Sequence, residues 1–157
     1  MSTAIHDLSQ LDDPVAQQLL TSTALARFAY TWFDGTPRVV PIWFHWNGDA
    51  VVLGTPSKAP KLKVLSSRPQ VAVTIDTAEF PYRALFIRGH AEVDMLDDVS
   101  PEYAAAAERY MGEEQGKAWV AQLRGQRMGR VRVVPEWVNI IDFETRFPGP
   151  SPQPTAP

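Results

Sequence analysis

The stretch RVVPIWFHWNGDAVVLG, Arg38 to Gly54, decides how the chain folds. Asn47-Gly48 is a tight-turn pair, and β-branched and aromatic residues flank it on both sides. That pattern reads as strand, turn, strand. In the first run Val39 and Trp43 point one way, while Val40, Ile42 and Phe44 point the other. A strand that is apolar on both faces sits centrally in a sheet or barrel, or lays one face against something other than its own core. Pro41 complicates a central position, because a central strand rarely spares an N–H. It marks a bulge, a place where the ladder stops beside a ligand, or simply an edge strand.

Working outward, FDGTP before this run reads as a second hairpin turn, with the aromatic-rich ALARFAYTW as its other arm. In DDPVAQQLL, Asp13 is a good N-cap and Pro14 suits the first helical position. QVAVTID is a strand. In ALFIRGHAEVDM, Leu85, Ile87, Ala91, Val93 and Met95 share one face, opposite Arg88, His90, Glu92 and Asp94. Gly89 in its middle is a candidate bulge. SPEYAAAAERYMG is a helix capped by Ser100 and stopped at Gly112. EEQGKAWVAQLRG is a second helix, and GRVRVVPEWVNIIDF a last strand bent at Pro135. Six or seven strands and three or four short helices predict a mainly β (α+β) chain. The expected architecture is a small antiparallel barrel with peripheral helices. Residues 1–147 form its single domain, and the tail 148–157, with five prolines in ten residues, is expected to be disordered.

The composition narrows the function. A net charge of −3 argues against a general nucleic-acid binder, which needs a surplus of cations. With no cysteine there is no disulfide, thiolate metal site or thiol nucleophile. The N-terminus lacks the basic and apolar regions of a secretion signal, and no apolar run reaches the ~18 residues that span a bilayer. The expectation is a cytoplasmic protein with no membrane or nucleic-acid partner. GxGxxG, Walker-type and GxSxG motifs are absent. His6, His45 and His90 are too scattered to make a metal site from spacing alone.

One segment stands out. GTPSKAPKLKVLSSRP, Gly54 to Pro69, carries Lys58, Lys61, Lys63 and Arg68 and no acid. If the preceding strand ends at Gly54, Thr55 and Ser57 offer hydroxyls just beyond it. Ser57 would then cap a helix with Lys58, Ala59 and Pro60 in its first turn. Lys58 and Lys61 would share a face, with Leu62 and Leu65 turned inward. Free N–H groups, hydroxyls and ammonium groups together suit an anion, most simply a phosphate. A solvated basic helix face is the plainer alternative.

From Gly35 to Asp76 the chain resembles the pyridoxamine 5′-phosphate oxidase-like family of flavin-binding split β-barrels, closest to its short, deazaflavin-reductase-like members. The resemblance rests on a P-x-V-x-P-x-W strand, a W-x-G-D turn and the hydroxyl/Lys segment. That segment runs into K-x-x-x-L-x-x-x-P-x-V-x-V, here Lys61, Leu65, Pro69, Val71 and Val73. It continues with less specific features to Phe143. The resemblance implies an FMN-binding split-barrel fold and a homodimer with the cofactor groove at the subunit interface. It further implies FMN or the deazaflavin coenzyme F(420), held by its phosphate through Thr55, Ser57, Lys58 and Lys61. The backbone from Val39 through Val40, Pro41 and Ile42 to Trp43 would run along the ring. The implied function is hydride transfer to a small organic substrate, with cofactor or heme binding without turnover as the alternative. The chain's end lacks the basic, His-containing motif of true pyridoxamine phosphate oxidases, so vitamin B6 oxidation is not implied. Tyr30, Tyr82 and His90 are the side chains that could donate a proton.

Overall fold

The computed structural model describes residues 8–146. The Pro-rich tail and His6 lie outside them. A short 3-10 turn, Leu8–Asp12, leads into helix α1, Pro14–Leu20. Its start is as expected: the Asp13 carboxylate accepts from the Val15 N–H at 2.9 Å, and Pro14 fills the first position. Seven strands follow: β1 (Ala26–Thr31), β2 (Pro37–Ile42), β3 (His45–Trp46), β4 (Val51–Pro56), β5 (Gln70–Asp76), β6 (Arg83–Leu96) and β7 (Met128–Asp142). Helix α2, Pro60–Leu65, lies between β4 and β5; α3, Pro101–Met111, and α4, Glu113–Leu123, separate β6 from β7.

All pairings are antiparallel, in the order β2-β1-β5-β6-β7-β4-β3. This order makes the sheet curl. Its two edges are β2 and β3, and only Trp43 and Phe44 join them in the chain. The step from Ile42 to His45 spans at most about 11 Å, so the first and last strands must come together. No pairing links β2 to β3 or β4 among the described residues, and the barrel is split along that seam.

Phe44 is wholly buried at the seam, beside a core built from Phe28, Leu53, Ile75, Leu85, Ile87 and Val131. Helix α3 closes the seam from outside. The Arg109 guanidinium donates to the carbonyls of Ser22, at 2.8 Å, and Phe44. The Tyr110 hydroxyl donates to the Ala24 carbonyl at 2.7 Å.

β2 is therefore an edge strand, not a central one. Val40 and Ile42 pack on the core, while Val39 is 65% exposed and Pro41 also faces out. The edge position accounts for Pro41, since an edge strand has N–H groups to spare. The expected single strand through His45 is instead two, because the chain crosses the seam at Trp43–Phe44. Gly89 is at a bulge, as its place in the pattern suggested: the register shifts between Arg88 and Gly89, and Glu136 is the extra residue on β7. A Cβ at Gly89 would lie 1.9 Å from the Val134 carbonyl oxygen, so the strands approach closely only because none is there.

Candidate functional site

The basic segment departs locally from its expected geometry. β4 does not stop at Gly54; Thr55 and Pro56 pair with Gly129 and Met128 of β7. Thr55 is thus a strand residue and only 2% exposed. Ser57 and Lys58 form the turn that follows, and Ala59, not Ser57, occupies the N-cap of α2, without a side-chain cap. Pro60 is at the first helical position, as required by its missing N–H. With only six residues, α2 adds little dipole of its own. Any attraction for an anion comes from the side chains.

Those side chains are unusually free. Among the described residues no carboxylate pairs with Lys58, Lys61 or Lys63, whereas Lys117 is paired with Glu113 at 2.6 Å. Lys58 is exposed, but Lys61 is half-buried, and burial pulls its ammonium pKa below the ordinary lysine value. A partly desolvated cation without a counter-ion is costly. Leu65 and Val64 anchor the helix in the core, and Leu62 packs where Gly129 leaves room for it. After the helix, Arg68 donates to the Phe33 carbonyl at 3.1 Å, tying the segment to the β1–β2 hairpin.

Thr55, Ser57 and Lys58 share one wall of a cleft of about 490 Å³. Its other wall comes from α3, α4 and the start of β7: Tyr103, Trp119, Leu123 and Met128. Lys61 does not line this cleft, and neither do Val39, Val40, Pro41 or Ile42. Trp43 stands one ring away, stacked on Tyr110 at 5.1 Å and tilted to Tyr103 at 5.8 Å. Its indole is engaged by α3 within its own chain. The helical wall was not legible beforehand, because Tyr103 and Trp119 are 16 residues apart and belong to two helices.

The expected proton donors are scattered. Tyr30 is buried and stacks on Phe28 at 5.7 Å. Tyr82 is exposed in an edge-to-face pair with Phe80 at 5.6 Å. His90 lies between Glu136, at 2.6 Å, and Glu92, at 3.3 Å; chiefly the Glu136 bond holds its pKa above the ordinary histidine value. His45 is the opposite case. Its Nδ1 is buried without a partner among the described residues, and burial, helped by Arg109, lowers its pKa. Arg130 is occupied by Glu102 and Asp94, and the Arg88 guanidinium covers the Trp137 ring at 4.1 Å. Among the described residues no group of three His, Cys, Asp or Glu side chains could hold a metal ion. No described helix is long and apolar enough to cross a membrane.

No family model matches the sequence, and neither does any curated protein. Solved structures do match. A conserved hypothetical protein from Mycobacterium tuberculosis aligns with a TM-score of 0.68 at 22% identity, over 90% of this chain and 89% of that one. An F420 reductase aligns with a TM-score of 0.60 at 24% identity, over 78% and 94% of the two chains. A candidate pyridoxamine 5′-phosphate oxidase from Listeria innocua gives 0.60 at 20% identity, over 83% and 98%. At these identities the likeness concerns the backbone. The chain has the split-barrel fold of the pyridoxamine 5′-phosphate oxidase-like proteins.

Proposed function

We propose that this chain binds a flavin-type cofactor, FMN or the deazaflavin coenzyme F(420), through its phosphate at Ser57, Lys58 and Lys61. The observation that carries the reading is Lys61: half-buried, with no carboxylate beside it among the described residues, and with its charged form already disfavoured. A phosphate supplies the missing counter-charge, and Lys58, equally unpaired, supplies a second contact. The outer face of β2 supports the rest. Val39 and Pro41 offer an exposed apolar strip on an edge strand, suited to a flat ring and to a second copy of the chain. On this reading the protein is a homodimer with the cofactor between its subunits.

When bound, the cofactor supplies the hydride chemistry. The chain's part is to fix the phosphate with Lys58 and Lys61, to keep the ring against β2 and to exclude water there. An oxidoreductase acting on a small organic substrate follows from that arrangement, and a carrier that never turns over follows equally. Reducing the bound cofactor and offering enones, quinones and dyes separates them: reoxidation by one of these marks an enzyme, none a carrier. The binding claim itself is tested by replacing Lys61 with Ala, which should weaken FMN or deazaflavin binding at least about tenfold.

A further inference from the structure

The cleft beside the Ser57–Lys58 turn has features that the phosphate reading does not use. Gly54 forms part of its wall because a Cβ there would lie 2.6 Å from Cδ2 of Tyr103; the missing side chain lets the tyrosine ring lie on β4. The Tyr103 hydroxyl in turn accepts from the Trp119 indole N–H at 3.0 Å. Trp119 is a large ring left 36% exposed, yet its only hydrogen-bond donor is used. What it can offer a ligand is carbon and π surface, held in one orientation. Leu123 and Met128 continue that apolar surface. Its charged groups are the cations Lys58 and Arg127, beside the neutral Thr55, Ser57 and Gln126. Lys58 has no acid partner among the described residues, and Arg127 reaches only the fully exposed Asp97, at 3.9 Å. Among the described residues none that lines the cleft is acidic.

We infer that this cleft is a second small-molecule site, built for a planar aromatic anion whose ring lies against Trp119 and whose carboxylate or phosphate meets Lys58 and Arg127. Its volume, about 490 Å³, is within the range of small-ligand sites. The inference goes beyond the cofactor reading, and the two share Ser57 and Lys58.

The test is calorimetric titration of the full-length protein with 2-naphthoate, alongside 2-naphthalenemethanol, its uncharged counterpart. Naphthoate should bind at least about tenfold more tightly than the alcohol, because only its carboxylate forms charge-assisted hydrogen bonds with Lys58 and Arg127. Trp119→Ala should weaken naphthoate binding about tenfold, which is about 1.4 kcal/mol and within what one stacked ring contributes. Leu123→Trp, which fills the cleft while keeping Trp119, should abolish binding. Equal affinity for naphthoate and the alcohol would overturn the inference, as would no binding at millimolar concentration or unchanged affinity in both variants. FMN titrations keep the two readings apart. Trp119→Ala should bind FMN as the parent does, and Lys61→Ala should bind naphthoate as the parent does. Failure of FMN binding alone would leave the cleft standing.

Discussion

Three residues show how single atoms set this molecule's behaviour. At Gly89 a methyl group would have to occupy space 1.9 Å from a backbone oxygen, with neither strand free to retreat. Gly89→Ala should therefore destabilise the protein by about 3 kcal/mol, read as a lower urea midpoint. His90 acts through pH. Its folded pKa is raised, so its contribution is full below the unfolded value of about 6.5 and disappears as pH rises through the folded pKa. The effect is modest, because His90 and both glutamates are well exposed. His90→Gln should lower stability at pH 5.5 and leave it unchanged at pH 8.5, measured as thermal midpoints. Lys61 works in the other direction. Its folded pKa is depressed, and an anion beside it would raise it again. Cofactor affinity should then fall as pH rises through that depressed value, earlier than an ordinary lysine would cause. A Lys61→Ala variant should lose this part of the pH profile.

Among the elements, the α3–α4 hairpin carries the most information not visible in the residue order. Both helices were readable from Ser100, the alanine run and Gly112. Ser100 accepts from the Tyr103 N–H at 3.1 Å, as a cap should. Their packing was not readable, because it depends on Gly116 in α4 meeting the backbone of α3. A Cβ there would come within 2.6 Å of Cα of Glu108. Alanine normally gains about 1 kcal/mol over glycine in a helix, but here the clash outweighs that gain. Gly116→Ala should lower stability by about 2 kcal/mol, and by forcing the helices apart it should also loosen the Tyr103–Trp119 contact, visible as a change in tryptophan fluorescence. The basic segment was legible as a segment and misread in detail. β4 continues for two residues because Thr55 and Pro56 still find partners on β7, and partner availability is a tertiary fact. The six strands with alternating or apolar patterns were readable. Met95, expected on the buried face of β6, is exposed near the strand's end.

For the whole molecule, two residues decide the closure. Trp43 and Phe44 carry the chain from one edge of the sheet to the other, and Phe44 is buried at that seam. Local pattern showed a barrel of strands, but which strand forms each edge depends on long-range pairing, so the residue order left β2 open between a central strand and an edge. Its exposed Val39 and Pro41 are what a second copy or a ring would cover. The dimer reading predicts a molar mass in solution close to twice 17.5 kDa by light scattering. A Val39→Lys variant should shift it toward one copy, because an edge charge resists strand-side association. The most direct test of the central claim is equilibrium titration of the purified protein with FMN and with the deazaflavin coenzyme, followed by absorbance and fluorescence. The account predicts micromolar or tighter binding of one of them, and a loss of at least about tenfold in Lys61→Ala. Absence of binding for both, or affinity indifferent to Lys61, would contradict it.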